Sequence, residues 1–156
     1  MNCRGHYVVV LEARAPLSLS TGRHGTVRLG PGAYLYVGSA LGPGGLRARL
    51  ERHLCGKRRR AHWHIDKFIL AGAKPVLAVA RCSEERVEEL VAAACAKRCR
   101  VAVPGFGSSD SPGSPGHLFL CASLREAVRA ALECVLDSPS NAPGNGLGDR
   151  HRPGQA

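Results

Sequence analysis

Arginine and histidine side chains share one side of a predicted helix over residues 46–54. Leucines at four-residue spacing form its apolar stripe, and Arg49 and His53 lie one helical turn apart beside that stripe, with Arg52 next to them. A guanidinium binds phosphate through a planar fork of donors. These side chains could therefore bind a phosphate group, and a solvated helix face is the alternative.

Two tyrosines stand out because aromatic residues make up only 4% of the chain. Tyr7 lies at the start of a predicted strand over 6–12, and Tyr36 lies with Tyr34 on one face of a predicted strand over 33–38. A tyrosine hydroxyl can take a proton from an attacking water if a nearby metal ion or arginine lowers its pKa. A position at the edge of the core is the alternative for both.

A third group of polar side chains contains two histidines, which titrate near neutral pH. His62 or His64 can position or protonate a phosphate oxygen, and Trp63 can stack on a base or pack on the core. The alternative is a helix start at which Asp66 holds a histidine in place. A zinc site is a further alternative, although its spacing matches no common structural pattern. Its ligands would be His53, Cys55, His62 and His64.

The charge balance favours a polyanion as the partner. The 156-residue chain has a net charge of +10 and a pI of about 9.8, and each phosphate that a basic side chain neutralises releases counterions. The densest basic run consists of Lys57, Arg58, Arg59 and Arg60. A generally arginine-rich protein is the alternative. No apolar run has the length needed to span a bilayer, so we expect no membrane partner.

The periodicity of the sequence predicts a single α/β (α+β) domain over residues 1–136, with a central, mainly antiparallel sheet flanked by helices. A polar connection is expected between the first two strands. Residues 137–156 are rich in Pro, Gly, Asn and Ser, which predicts a disordered tail. The predicted strands are 6–12, 26–29, 33–38, 75–80, 100–103 and 117–121, and the predicted helices are 46–54, 62–71, 83–97 and 123–136.

Two of the predicted helices begin at serines. Ser83 is the expected N-cap of the helix over 83–97, and Ser123 forms an expected capping box with Glu126. The expected apolar stripes are Val87, Leu90, Val91 and Ala94 in the first of these helices, and Leu124, Val128, Leu132 and Val135 in the second.

The cysteine pattern indicates whether the protein resides in a reducing or an oxidising compartment. Their number is seven, which is odd, and no CxxC spacing occurs. This pattern favours a reducing compartment in which the thiols pack mostly as small core residues. We therefore expect a cytoplasmic location, and pairing of some cysteines in a thermophile is the alternative.

Four motifs occur together along the chain. They are GAYLYVGSALG at residues 32–42, RLERHL at 49–54, HWHID at 62–66, and FGSSD at 106–110 followed by HLF at 117–119. In this order they resemble the GIY-YIG nuclease superfamily, and most closely its small Uri-type endonucleases. The resemblance covers roughly residues 5–120. It implies an endonuclease that hydrolyses phosphodiester bonds in nucleic acid, with DNA favoured and DNA repair as its setting.

The resemblance also implies a role for each matching residue. Tyr7 and Tyr36 match the two motif tyrosines, and Tyr7 is the expected base, relayed by Tyr36 or a histidine. Arg49 matches the arginine that contacts the scissile phosphate. The expected catalytic residues are Tyr7, Tyr36, Arg49, His53, His62 and His64, and the expected nucleic-acid-binding residues are Gly38, Ser39, Arg52, Lys57, Arg58, Arg59 and Arg60.

Glu88 matches the single carboxylate that holds a divalent metal ion in the superfamily. This match implies Mg²⁺ or Mn²⁺ as the cofactor, since such ions take oxygen ligands. Glu84 is the alternative, because it also flanks the apolar stripe of its helix, whereas Glu85 and Glu89 point further outward.

The source of specificity is expected to lie outside this domain. No groove-reading helix or finger is evident, so a protein partner or fused domain would supply specificity. Two alternatives to the enzyme are open. The same basic face would suit a non-catalytic nucleic-acid-binding module, and a structural protein with an adventitious zinc ion is the third option.

Overall fold

A computed structural model describes residues 2–22, 25–56, 64–107 and 115–138. It confirms a small α+β domain. In chain order the elements are β1 (Gly5–Ala13), β2 (Leu17–Ser20), β3 (Thr26–Leu29), β4 (Gly32–Ala40), α1 (Gly45–Cys55), α2 (His64–Leu70), β5 (Lys74–Cys82), α3 (Glu88–Ala96), β6 (Arg100–Val101), β7 (Leu118–Cys121) and α4 (Leu124–Leu136).

The main sheet has five strands in the order β5-β1-β4-β7-β6, and every neighbouring pair is antiparallel. β1 is an interior strand rich in valine, and it pairs along its length with both β4 and β5. In this register Tyr7 lies opposite Gly38, and Val9 lies opposite Tyr36. The sheet therefore brings the two motif tyrosines onto neighbouring strands.

Both faces of the sheet are covered, because side chains alternate along each strand. Tyr7, Val9 and Tyr36 face a core that contains Leu46 of α1 and Phe68 of α2. The intervening residues of β1 face a second core, built with α3 and α4. The tyrosines thus belong to the layer that also holds the arginine-bearing helix α1.

The expected polar connection after β1 is wrong for residues 17–20, which form β2. This strand pairs with β3 in a separate two-stranded sheet. Leu17 and Leu19 are buried and alternate with exposed serines. A four-residue alternation is a weak signal, and pairing with β3 and packing on the core stabilise the strand.

The expected helix start at Ser83 is also wrong, because α3 begins at Glu88. The Ser83 hydroxyl instead accepts a hydrogen bond from the Glu85 amide, which forms a local turn. With the later start, Leu90 is 59% exposed. The buried side of α3 consists of Val91, Ala92 and Cys95.

Ser123 is confirmed as the N-cap of α4, since its side chain accepts a hydrogen bond from the Glu126 amide, which is one half of the predicted capping box. Its expected stripe is wrong at Leu124 and Leu132, which are exposed. Small side chains face the sheet instead and allow the helix to approach it closely. The buried residues of α4 are Ala127, Ala130, Ala131, Cys134 and Val135.

Four of the cysteines are paired, which corrects the expectation that most are packed thiols. Disulfides join Cys3 to Cys82 and Cys99 to Cys121. The register explains the first pair, because Gly5 lies opposite Cys82 at the end of the β1–β5 ladder. Cys55, Cys95 and Cys134 are thiols.

The chain past α4 begins with Asp137 and Ser138, which the structure describes. Ser138 is buried, and its hydroxyl lies 2.5 Å from Nε2 of His6. The rest of the expected tail, 139–156, lies outside the described residues. Within the described part, no helix is both long and apolar enough to cross a membrane.

Candidate active site

Tyr7 and His53 form a buried hydrogen bond between β1 and α1. The hydroxyl oxygen of Tyr7 lies 2.9 Å from His53 Nε2. The Tyr7 side chain also interacts with Arg49 through a hydrogen bond. Because Arg49 and His53 are one turn apart on α1, a single helix face supplies both partners of this hydroxyl.

Gly38 lies directly beneath the Tyr7 ring. A Cβ atom added at Gly38 would be 2.4 Å from the Tyr7 hydroxyl oxygen, closer than any real contact. Gly38 is itself buried. Its place in the site is therefore to make room for Tyr7, and not to contact a ligand at the surface.

Asp66 lies behind His53 and is fully buried. Its Oδ1 is 3.7 Å from His53 Nδ1, and its Oδ2 accepts a hydrogen bond of 3.1 Å from Arg52. The described histidine that Asp66 faces is therefore His53 on α1, at a distance longer than a hydrogen bond. Tyr7, His53 and Asp66 form a chain of polar groups from the site into the core.

Arg49 is oriented by the backbone of the neighbouring strand. Its guanidinium donates to the Ser39 carbonyl oxygen at 2.9 Å. Arg49 and Arg52 line one side of a shallow cleft of about 180 Å³, whose other walls include Gly42 and Pro43. A phosphate would be bound here by donors whose orientation is already fixed.

Tyr36 is buried beside Tyr7 and Glu88. Burial is the main cause that raises its pKa, and the charge of Glu88 raises it further, while Arg49 opposes both. Gly107 approaches the ring closely, since a Cβ added there would lie 3.4 Å from the Tyr36 hydroxyl oxygen. The hydroxyl is therefore enclosed.

Without a bound metal ion, neither tyrosine has a lowered pKa. Burial raises the pKa of Tyr7, and the nearby Arg49 only partly offsets this effect. The hydroxyl keeps its proton at neutral pH. Any base catalysis by Tyr7 must then pass a proton onward as it accepts one, and His53 is within hydrogen-bond reach.

Glu88 is the first residue of α3, and its carboxylate joins the site from the other layer. Its Oε1 lies 3.7 Å from Nδ1 of His117, and the Glu88 side chain is 25% exposed. The Glu88 charge acts on both tyrosines. Glu84, the alternative, instead pairs with Arg4 on the surface at 3.8 Å.

His117 is a site residue that the sequence interpretation missed, although it begins the HLF motif. Its amide donates to the Phe106 carbonyl, and its own carbonyl accepts from the Val37 amide. Its ring is buried, and burial together with the charge of His64 lowers its pKa to about 4. His64 itself packs edge-on against Phe106, with the ring centroids 5.2 Å apart.

The structure thus brings five of the predicted site residues together: Tyr7, Tyr36, Arg49, His53 and Glu88. The other predicted site residues in the described part lie around these five. Gly38 and Ser39 support Tyr7 and Arg49, Arg52 pairs with Asp66, and His64 packs on Phe106. The rest of the predicted site, and two further motif residues, lie outside the described residues: Lys57, Arg58, Arg59, Arg60, His62, Trp63 and Asp110.

In the described part of the chain, the side chains that could bind a metal ion lie in groups of fewer than three. Among the described residues, no group of three or more His, Cys, Asp or Glu side chains is placed to hold an ion. The described residues do not favour the zinc alternative. His53 is buried and hydrogen-bonded to Tyr7, whereas Cys55 is exposed. Of the remaining members of this alternative, His64 packs against Phe106 and His62 lies outside the described residues.

One family model matches the chain, over residues 6–138, and its description is "Domain of unknown function DUF123". The chain belongs to this family. DUF123 proteins are small GIY-YIG-like proteins of the Uri type, which confirms the resemblance seen in the motifs. None of the curated proteins and none of the solved structures matches the chain.

The DUF123 match contains every residue of the candidate site, from Tyr7 on β1 to His117 before β7. The family description assigns no activity. The chemistry of the site must therefore be argued from its own side chains.

Proposed function

We propose that this DUF123 protein is a divalent-metal-dependent endonuclease that hydrolyses phosphodiester bonds in nucleic acid, with DNA favoured. The observation that carries the proposal is the convergence of Tyr7, Arg49 and Glu88 from three separate elements. A module that only bound nucleic acid would need basic side chains. It would not need a carboxylate next to two buried tyrosines.

Arg49 is the proposed phosphate ligand. The hydrogen bond from Arg49 to the Ser39 carbonyl oxygen fixes the orientation of the guanidinium. Its remaining N–H donors can bind phosphate oxygens at the cleft. Fixed donors stabilise the charge that develops on a phosphoryl group, because no reorganisation is needed at the moment of reaction. Arg52 is the proposed second cation of the cleft.

Tyr7, His53 and Asp66 form the proposed proton path. Tyr7 accepts a proton from the attacking water while its own hydroxyl proton moves to Nε2 of His53, 2.9 Å away. The imidazolium that results is stabilised by the buried carboxylate of Asp66. This transfer avoids a discrete tyrosinate, which the raised pKa of Tyr7 disfavours.

Glu88 suits a divalent ion, because its carboxylate is partly exposed and therefore leaves room for water ligands. A Mg²⁺ or Mn²⁺ ion bound there would neutralise charge on the phosphoryl and leaving oxygens. Glu88 is the proposed ligand for this ion.

A cytoplasmic location and a protein partner that supplies specificity remain part of the proposal. The two disulfides bear on the location, since they are rare in the cytosol of mesophiles but common inside hyperthermophiles. Thiol labelling of protein taken directly from its native cells would test it. Free thiols at these four positions would support a reducing compartment.

The activity test incubates the protein with branched, flapped and single-stranded DNA and RNA, in the presence of Mg²⁺, Mn²⁺ or EDTA. Cleavage that EDTA abolishes is the expected result. Arg49→Ala and Glu88→Gln should each abolish cutting, and Glu88→Gln should retain binding. The matched controls are Arg47→Ala and Glu84→Gln, since both residues are exposed and pair elsewhere.

Binding without any cutting, insensitive to EDTA, would contradict the enzyme and support the binding module. Full activity in Glu88→Gln would remove this residue from the metal site. Stoichiometric zinc in the purified protein would favour the structural alternative.

A further inference from the structure

The side chains of His117 and Glu88 lie close together without a hydrogen bond between them. The Nδ1 atom of His117 lies 3.7 Å from Glu88 Oε1, which is outside hydrogen-bonding distance. Both ring nitrogens of His117 are buried, and the contact of the ring with the Gly107 backbone does not reach hydrogen-bond geometry. Buried polar atoms are nearly always satisfied, so a missing partner requires an explanation.

We propose that His117 is a second protein ligand of the divalent ion, binding through Nδ1 beside Oε1 of Glu88. This inference rests on the proposed function and extends it. It assigns the centre one nitrogen and one oxygen ligand from the protein, with water and substrate oxygens in the remaining positions.

The separation of the two atoms fits a shared ion. Ligand atoms about 2.1 Å from one metal, at angles near 90–110°, are about 3 to 3.5 Å apart. The observed 3.7 Å therefore requires only a small movement of the Glu88 side chain. The Glu88 side chain is 25% exposed, whereas His117 is 1% exposed and enclosed by its neighbours, so the adjustment falls to Glu88.

The position of His117 is fixed by its surroundings. Its backbone is hydrogen-bonded to Phe106 and Val37 on either side. Gly107 lies so close that a Cβ atom added there would be 3.2 Å from the His117 Cβ. A ligand held this firmly binds metal with little loss of conformational freedom.

The other close histidine–carboxylate pair in the site has the same separation but is not exposed to solvent. His53 Nδ1 and Asp66 Oδ1 are also 3.7 Å apart, but both side chains are fully buried. Asp66 already accepts from Arg52, and His53 Nε2 is occupied by Tyr7. An ion could not reach that pair with its water ligands, so the pair with the partly exposed carboxylate, Glu88, is the one assigned.

An imidazole ligand changes which ions the centre prefers. Carboxylate and water suit Mg²⁺, whereas imidazole nitrogen suits transition ions. The His117→Ala variant is therefore expected to bind Co²⁺ at least about 10-fold more weakly, since even the outer-shell partners of a metal centre are worth this much. Its Mg²⁺ and Mn²⁺ affinities should change less, because both ions suit carboxylate and water. Titration calorimetry with each ion alone measures these differences.

The deciding measurement is electron spin echo spectroscopy of Mn²⁺ bound to the full chain. Nitrogen modulation from a coordinated imidazole is expected, and its frequency should change when the protein carries ¹⁵N-labelled histidine. The modulation should vanish in His117→Ala and persist in His64→Ala, the matched control on α2. The labelled wild-type protein gives the answer even if His117→Ala does not fold.

Mn²⁺ binding that requires Glu88 but shows no nitrogen coupling would overturn the role of His117 and leave the nuclease proposal intact. Loss of the coupling in His64→Ala, with retention in His117→Ala, would also overturn it. Absence of any Mn²⁺ binding would overturn both proposals. EDTA-sensitive cleavage without nitrogen coupling would overturn this inference only.

Discussion

Tyr7 and Gly38 are opposite one another on neighbouring strands, and the tyrosine ring occupies the space that any side chain at position 38 would need. The Cβ of an alanine there would lie 2.4 Å from the Tyr7 hydroxyl oxygen. This hydroxyl is bonded to His53, so the position of the glycine determines where the proposed base can sit.

Gly38→Ala is therefore expected to displace Tyr7 and lower the cleavage rate by about 100-fold, the effect of a catalytic group moved by about 1 Å. Overpacking should also lower stability by about 1–3 kcal/mol. Single-turnover kinetics and urea unfolding measure the two effects. Gly30→Ala is the control, because nothing lies within 4 Å of its added Cβ. An unchanged rate in Gly38→Ala would remove Tyr7 from the reaction.

Asp66→Asn is expected to slow the chemical step while sparing substrate binding. The amide keeps the size of the side chain but loses the charge that stabilises a protonated His53. A general base deprived of this support should lose about 10²–10⁴-fold in rate. Single-turnover rates and binding to uncut DNA separate the two effects. Glu51→Gln is the control, since Glu51 is exposed and pairs with Arg47. Equal losses in binding and rate would show that Asp66 has only a structural role.

The sequence predicted the fold class and the elements with strong periodicity. β1, β4, α1 and β5 lie close to their expected positions, because their apolar patterns are long enough to be distinctive. The short strand β2 and the late start of α3 were not predicted. Both depend on tertiary contacts: the β2–β3 pairing and the turn that uses the Ser83 hydroxyl.

The sequence also predicted the site residues that belong to short local motifs. Tyr36, Arg49 and His53 belong to local motifs, so their spacing alone places them on a strand and the next helix. His117 and the partner of Asp66 were not predictable, because their contacts join segments far apart in the chain. His117 reaches Glu88 only because β7 pairs with β4 in the observed register.

The two disulfides are expected to contribute unequally to stability. They are separated by 79 and 22 residues along the chain. In the loop-entropy account, the longer loop should give about 1 kcal/mol more, within contributions of about 2–5 kcal/mol each. Urea unfolding of Cys3→Ser/Cys82→Ser and Cys99→Ser/Cys121→Ser variants measures the difference. A larger loss from the second variant would indicate that local packing dominates over chain entropy.

Stability is expected to fall with acidification because of His6. Burial, and then the charge of Arg81, lower the pKa of His6 in the folded protein. Below about pH 6.5 the unfolded chain binds a proton that the folded state resists, so the free energy of unfolding decreases as pH falls towards the folded pKa. Urea unfolding at pH 8 and pH 5 measures this loss. His117 has a shift of the same sign, so His6→Gln should reduce the loss without abolishing it.

The matched control for His6 is Ser138→Ala, which removes the hydroxyl beside Nε2 but leaves the imidazole to titrate. This variant should be less stable at both pH values and keep the acid-dependent loss, because burial by the surrounding core persists. The contrast separates titration of His6 from the packing of the chain after α4. Equal acid-dependent losses in the wild-type protein and His6→Gln would show that other groups control the pH dependence.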